Sequence, residues 1–396
     1  MQGLLIINAG SSSLKFAMFE APLAANALAL FRGQIDGIGA ETKFVAKDVN
    51  GATLSDTVIH APAGTDLEGL QQFALEHLLS WIEAQKVELQ AVGHRVLHGG
   101  EDYSAPVRIT PEVFATLESF IPLGPLHQPH NLRPIRMLAK KYPQLPQVAC
   151  FDTAFHRTQP WLAQTYPIPR KLTQEGVKRY GFHGTSYEYV SRELPAVIGA
   201  KAQGAVVIAH LGNGASMAAL RDLKCVATTM GFTAAEGLMM GTRSGTIDPG
   251  ILLYMVERHG YGAEELTRAI YKESGLLGVS GISQDMRTLE GSDAPEAKEA
   301  VDLFCYRAAR EIGSLTMAAG GLDALVFTGG IGENSSHVRA SIVKYLGWLG
   351  ARLDADANAQ RGKAQCISTP DSGVVVAVVP TNEEWMIAHH TSTLLG

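Results

Sequence analysis

Cysteine is scarce and scattered: Cys150, Cys225, Cys305 and Cys366 are the only four in 396 residues, and no CxxC pair occurs. That spacing argues against a zinc ribbon or a redox motif and leaves buried thiols of a reducing compartment. Long apolar runs are missing as well. Leu4 to Ile7 follows no charged segment and is too short for a secretory leader. The longest run, Val374 to Val379, has the length and β-branching of a buried strand, far short of the about 18 residues of a membrane span. A cytoplasmic protein with no membrane partner is the expectation. Positive charge is not in excess either. A formal charge of −6 provides no footprint for nucleic acid, so an anionic ligand has to be held by local donors. The Walker pattern GxxxxGK[ST], a GxGxxG opening a Rossmann unit and a GxSxG elbow are all absent.

What is present is a folded globular composition, 46% hydrophobic and 18% charged, in a chain long enough for two domains of about 150–200 residues. Residues 4–8 and 14–19 read as strands joined by a Gly/Ser turn, and 43–49 and 52–58 as a hairpin about Asn50-Gly51. Apolar residues at helical spacing mark 66–85, a strand follows at 91–98, and Thr110-Pro111 and Asp248-Pro249 pair an N-cap with a first-turn proline. Thr185 to Glu188 has capping-box spacing. A long helix over 294–320, a strand at 324–328, a glycine-rich turn and a helix from about Ser335 follow. The chain closes with a strand at 374–379 and a helix from about Asn382.

A faint repeat organises these elements. IINAGSSSLKFAM at 6–18 aligns without gaps on IAHLGNGASMAAL at 208–220, each a strand, a polar residue (Asn8 or His210), a glycine turn and a returning strand. Two copies half a chain apart predict duplicated domains, divided as 1–150 plus the last helix (about 383–396) and 151–382. No Pro-, Gly- or Ser-rich linker separates them.

Three turns have the Gly/Ser make-up that lets backbone N–H groups converge on phosphate: Gly10 to Ser13, Gly212 to Gly214, and Gly329 to Asn334. Lys15 follows the first and either neutralises phosphate or is a solvated surface group. His94 and His98 at i, i+4 invite a zinc reading, but the segment is strand-like and lacks the HExxH glutamate. Arg95, between them on a buried strand, needs an anionic partner, whether a substrate or a structural carboxylate. Asp152, after a strand, either faces a ligand crevice or caps a helix over 153–157. His183 and Arg243 each sit between glycines before a helix, which suggests aimed side chains; ordinary loop residues are the alternative. Glu383 and Glu384 either complement a helix dipole or ligate magnesium.

Taken together, these motifs resemble the acetate kinase family. NAGSSSLKF, GHRVLHGG, PLHQP, FDTAFH, GFHGTS, HLGNGAS, EGLMMGTRSG, SQDMR, GGIGENS and PTNEEWMIA occur in the family's order and spacing, nearly end to end. The resemblance implies an α/β fold of two duplicated actin-like (ribonuclease H-like) domains with a nucleotide cleft between them, usually in a homodimer. It implies reversible transfer of the ATP γ-phosphoryl group to a short-chain carboxylate with Mg²⁺, Mn²⁺ being an alternative. Asn8 and Glu383 correspond to the metal residues. Ser11, Ser13, Lys15, His210, Leu211, Gly212, Asn213, Gly214, Asp285, Met286, Arg287, Gly330, Ile331, Gly332, Glu333 and Asn334 correspond to the nucleotide contacts. Arg95 resembles the grip on the substrate carboxylate, with Leu97, Leu126, His127, Phe182 and Ala234 around the acyl group. His183 and Arg243 resemble the transition-state stabilisers and Asp152 the catalytic carboxylate. A short-chain carboxylate is already ionised at neutral pH, so Asp152 has no need to act as a base and can instead orient metal, water or an arginine.

Two departures from the family pattern bear on the acyl group: Ala234 replaces the usual proline of TPLEG and Leu97 a usual valine; elsewhere Thr246 stands where the usual aspartate precedes Ile-Asp-Pro. One pocket change adds room and the other removes it, so propionate is an alternative acceptor. An ATP-driven conformational protein of the actin or chaperone type is the competing class, but no appended client-binding module is visible.

Overall fold

The computed structural model describes residues 1–395. The chain divides into two compact units: residues 1–154 with the residues from 382 onward, and residues 155–381. Asp152 therefore belongs with the first unit, although it lies two residues beyond the boundary that sequence alone puts at 150.

The first unit is built on an eight-stranded sheet of order β5-β4-β3-β2-β1-β6-β8-β7, comprising β1 (Gln2–Ala9), β2 (Ser13–Glu20), β3 (Phe31–Asp36), β4 (Thr42–Asp48), β5 (Thr53–Ile59), β6 (Glu88–Val96), β7 (Val107–Arg108) and β8 (Gln147–Phe151). The second has six strands in the order β11-β10-β9-β12-β14-β13, with β9 (Val206–Leu211), β10 (Ala215–Arg221), β11 (Lys224–Thr228), β12 (Ala324–Thr328), β13 (Gln365–Cys366) and β14 (Val375–Val378). Remove the β4–β5 hairpin and the two orders match strand for strand. The sense of pairing matches too: β1 is antiparallel to β2 and parallel to β6, as β9 is to β10 and β12.

The hairpin repeat thus lies at the centre of both sheets, with one amendment. Ala9 pairs with Leu14 across the first turn, but Leu211 pairs with Ala215 across the second. The first turn is one residue longer, so the ungapped alignment slips by one on the returning strand.

Local chemistry explains most helix starts. Asp66, Thr110 and Asp248 accept backbone N–H bonds at the starts of Leu67–Ala84, Pro111–Ser119 and Pro249–His259. Pro295–Ala319 ends at Gly320, whose φ of +70° is the left-handed C-terminal geometry glycine allows. The expected capping box at 185–188 does not form. Helix Gly184–Ile198 begins one residue earlier, after a left-handed His183, and Ser186 turns its hydroxyl to His210. Gly329–Asn334, expected as a turn, is a short helix leaving β12 directly. β3 was not anticipated, because its Phe-Arg-Gly-Gln-Ile-Asp sequence carries a central glycine that weakens a strand signal. Gly33 is required there: a Cβ would lie 2.2 Å from the Val45 carbonyl oxygen and 2.6 Å from the Phe16 ring.

Each unit has its own core. Leu5, Ile7, Phe16, Phe44 and Leu78 join the first sheet to helix Leu67–Ala84. Val190, Leu194, Ile208, Val326 and Ala377 join the second sheet to helix Gly184–Ile198. Cys150, Cys225 and Cys305 are buried thiols and Cys366 is exposed. Among the described residues, no helix is long and apolar enough to cross a membrane.

Candidate functional site

In the first unit three neighbouring parallel or hairpin-linked strands end side by side and present their polar residues together. Arg95, near the end of β6, donates from Nε to Asp152 Oδ1 at 2.9 Å and from Nη2 to Oδ2 at 2.5 Å. Its Nη1 donates to Asn8 Oδ1 at 3.2 Å from the end of β1. The Asp152 side chain is fully buried and that of Arg95 is 19% exposed. The Asp152 carboxylate is the anionic partner the buried arginine requires. Of the five guanidinium N–H groups, three are committed to Asp152 and Asn8. Two remain for another anion.

Burial pushes the Glu383 carboxyl up to about 7; Arg95 and Lys15 pull it down, while Asp152 and Glu384 push it further up. Asn8, Lys15, Arg95, Asp152 and Glu383 therefore share one electrostatic neighbourhood. A carboxyl group held near neutrality beside a second carboxylate and an amide oxygen is a hard-oxygen set short of positive charge. It suits Mg²⁺, which takes one or two carboxylates and otherwise water or phosphate. Among the described residues no group of three or more His, Cys, Asp or Glu side chains could hold a metal by itself.

The hairpin turn beside this cluster is held from behind. Gly10 N–H donates to the Ser13 carbonyl at 2.7 Å, and Gln71 Nε2 donates to the Ser11 carbonyl at 2.6 Å. Asn131 joins the two strand ends: its Nδ2 donates to the Ala9 carbonyl at 2.6 Å and its Oδ1 accepts from Leu97 N–H at 2.9 Å. Leu97 is buried, Leu126 is exposed, and His127 precedes helix Gln128–Lys141. Neither Gln71 nor Asn131 was singled out in the sequence. Asn131 could have been, as the residue three along from Gln128 on the helix that follows Pro-Leu-His-Gln-Pro. His94 Nε2 is bonded to Gln147 and His98 Nδ1 accepts from the Gly100 N–H, and the two histidines belong to no group of three or more His, Cys, Asp or Glu side chains that could hold a metal among the described residues.

In the second unit His183 and His210 stack with ring centroids 4.4 Å apart. His183 Nδ1 lies 2.8 Å from Ser216 Oγ and His210 Nδ1 2.8 Å from Ser186 Oγ. A Cβ built on Gly214 would stand 3.4 Å from His183 Nε2 and 3.8 Å from Arg243 Nη1, so both cationic or polar heads converge on the 212–214 turn. The Arg243 loop is seated on that turn. Gly241 N–H donates to the Asn213 carbonyl at 2.9 Å, and Arg243 Nη1 donates to the Ala234 carbonyl at 3.0 Å. Phe182 and Ala234 are buried, and the Ala234 loop is braced by Glu236, which accepts from Arg179 at 2.6 Å and from the Tyr166 hydroxyl.

A cavity of about 800 Å³ opens beside the same turn, lined by Gly212, Asn213, Asp285, Met286, Arg287, Gly330, Ile331 and Asn334 among others. Of the expected nucleotide contacts in the second unit, His210, Leu211, Gly214, Gly332 and Glu333 are not among its lining residues. Gly332 is buried against the sheet. Glu333 turns its carboxylate inward to accept from Gly329 and Thr381 N–H at 2.9 and 3.1 Å, so it closes the helix start instead of facing a ligand. Gln284, Glu290, Ser335 and Arg361, which the sequence did not flag, line the cavity.

The chain as a whole is similar to known proteins. The chain is 53% identical to an acetate kinase of Rhodopseudomonas palustris over 98% of its length and 97% of that protein. It is 48% identical to an acetate kinase of Nitrobacter hamburgensis over 100% and 96%. Among solved structures it resembles the acetate kinase of Porphyromonas gingivalis (39% identity, TM-score 0.89, full coverage of both chains). It equally resembles a propionate kinase of Francisella tularensis (37% identity, TM-score 0.89, full coverage of both). With the family model matching residues 3–389, the chain belongs to the acetokinase family.

Proposed function

We propose that this protein is an acetate kinase: it transfers the ATP γ-phosphoryl group reversibly to acetate, giving acetyl phosphate and ADP by direct in-line transfer. The observation that carries this reading is the Arg95–Asp152–Asn8 constellation at the strand ends, in a chain of the acetokinase family. Arginine's planar fork suits a carboxylate, and the two N–H groups left after Asp152 and Asn8 are satisfied are those acetate would take. Asp152 then serves as the anchor of Arg95, in keeping with a substrate that arrives already ionised. Asn8 and Glu383 would hold Mg²⁺, which would supply neutralising charge for the phosphates, with Mn²⁺ as the alternative. Ser11, Ser13 and Lys15 face the phosphates, and the second unit's cavity takes the adenosine end. His183 and Arg243 stabilise the charge that spreads over the transferring phosphoryl group.

Propionate is the second acceptor to consider, because Ala234 and Leu97 depart from the usual pocket residues in opposite senses of volume. A coupled assay with acetate, propionate and butyrate tests both: acetate is expected to have the highest kcat/KM, and no turnover with any of the three would refute the proposal. A cytoplasmic homodimer is the natural setting of this reading. Helix Pro249–His259 buries none of its residues and exposes Ile251, Leu253, Tyr254 and Val256, a surface suited to a second copy. Sedimentation of Leu253→Asp against the parent chain tests the dimer.

A further inference from the structure

We infer that Tyr187 and Ser216 form a hydrogen-bond relay that fixes the tautomer of His183, so that its Nε2 carries a proton toward the 212–214 turn. The relay is buried: Tyr187 and Ser216 are both fully inaccessible to solvent. The Tyr187 hydroxyl lies 2.5 Å from Ser216 Oγ, and that same Oγ lies 2.8 Å from His183 Nδ1.

The directions of the two bonds follow from counting protons. A buried phenol O–H has to find an acceptor, and Ser216 Oγ is the hydrogen-bond partner the Tyr187 hydroxyl has. Tyr187 therefore donates and Ser216 accepts. Ser216 has one proton of its own, which is left to donate to Nδ1. An imidazole nitrogen that accepts a hydrogen bond carries no proton, so in the neutral ring the proton resides on Nε2. The reverse arrangement, with Nδ1–H donating to Ser216, would make Oγ accept twice and would leave the serine proton without that acceptor.

The placement gives the tautomer a consequence. Nε2 is the ring atom nearest a Cβ built on Gly214, at 3.4 Å, with Arg243 Nη1 at 3.8 Å from the same point. The left-handed backbone of His183, φ +60°, aims the ring there, a conformation uncommon for a residue with a Cβ. Stacking on His210, whose Nδ1 is held by Ser186, fixes the ring plane. An Nε2–H donor beside Arg243 is suited to a phosphoryl oxygen, whereas the other tautomer would present a lone pair to an anion. Tyr187 and Ser216 act through His183 and are positioning residues. This step rests on the role given to His183 above, but the tautomer is a property of the protein alone.

Nitrogen-15 NMR of histidine-labelled protein, assigned with His183→Gln, tests it without reference to turnover. The expected result is a pyrrole-type Nε2 and a pyridine-type Nδ1 for His183 in the parent chain. Ser216→Ala should shift the ring toward Nδ1–H and lower kcat at least about tenfold with both KM values within about twofold. Tyr187→Phe, which frees Oγ to accept, should shift it partly, and Ser216→Thr should restore the parental spectrum and rate. Should Ser216→Ala misfold, Tyr187→Phe alone decides. A parental Nδ1–H tautomer, or a tautomer unmoved in the variants that fold, overturns the relay. If the tautomer shifts while acetyl phosphate formation is absent throughout, the relay stands and the proposed function falls.

Discussion

Breaking the Arg95–Asp152 pair should destabilise the first unit and do so non-additively. Asp152 is fully buried and receives two charged hydrogen bonds, at 2.9 and 2.5 Å, from a guanidinium that is itself 19% exposed. At an effective dielectric near 20, unit charges about 4 Å apart attract by about 4 kcal/mol, and removing one partner of a buried pair costs about 3–5 kcal/mol because the other is left uncompensated. Arg95→Met removes the guanidinium paired with the buried Asp152; Asp152→Asn removes the charge and keeps the shape. Each single variant should lose about 3–5 kcal/mol in urea unfolding. The double variant should lose less than their sum, since each single variant already contains the stranded charge. A coupling of about 2–4 kcal/mol is expected, against the about 0.5 kcal/mol seen for independent sites. Both single variants should also lose nearly all turnover, with KM for acetate rising in any residual activity of Asp152→Asn because Arg95 is no longer aimed. Additive stabilities would refute the reasoning: Arg95 and Asp152 would then not form a pair in solution.

His94 supplies a pH test. Burial lowers it from 6.5 to about 4, outweighing its bond to Gln147, so it is neutral in the fold and charges on unfolding. Its contribution is complete above pH 6.5 and is lost as pH falls toward 4, at most about 3 kcal/mol; in His94→Gln that part of the acid slope should vanish from denaturation curves taken between these limits. Gly241→Ala would place a Cβ 1.8 Å from Asn213 Oδ1 and 3.3 Å from the Asn213 carbonyl oxygen, so the Asn213 side chain has to turn away and the Arg243 loop is crowded against the turn; up to about 1 kcal/mol of stability and a several-fold drop in kcat are expected, with ATP binding by calorimetry changed less. Ala234→Pro should raise the acetate-to-propionate ratio of kcat/KM, and Leu97→Val should lower it, each by about tenfold or less, since a methylene is worth about 1–3 kcal/mol in selectivity. Unchanged ratios would remove both residues from the acyl pocket.

How legible the molecule was depended on the range of the interaction. Caps at Asp66, Thr110 and Asp248 are decided within four residues, and their sequence signals were sufficient. The capping-box pattern at Thr185 was misleading because the left-handed His183 takes the N-cap position and the helix starts at Gly184, which puts Thr185 inside the first turn. Glu333 looked like a ligand contact by its place in a glycine-rich segment, but Gly329 and Thr381 N–H groups claim its carboxylate. Gln71 and Asn131 act on carbonyl groups 60 and 122 positions distant. A side chain that holds backbone needs no special neighbours in sequence, so no local pattern marks it. The motif residues themselves were found because glycine, arginine and histidine clusters are visible without knowing what they touch.

The duplicated sheets also explain why the two hairpins, alike at the start, are put to different uses. Topology places Asn8 and His210 at the same point of equivalent strands, each next to a parallel neighbour. The neighbours then diverge. β6 brings Arg95 up beside Asn8, so the first copy becomes a charged strand edge that Asp152 and Glu383 complete. β12 runs instead into the helix Gly329–Asn334, where Gly329 has φ +76° and a Cβ would meet the Leu211 carbonyl at 2.8 Å. The residue paired with His210 is Thr328, whose short side chain brings no charge beside it, and the cavity lies beside the turn. The turns are secured differently for the same reason. A glutamine side chain holds the first turn through the Ser11 carbonyl, while the backbone of Gly241 holds the second through Asn213. Anchoring by backbone ties the second turn rigidly to the Arg243 loop, so a shift of either moves both, whereas the first turn can be altered at Gln71 without displacing Arg95. Gln71→Ala should therefore weaken phosphate contacts, seen as a higher KM for ATP, and leave KM for acetate within about twofold; an equal rise in both would mean that the first hairpin and the arginine edge move as one.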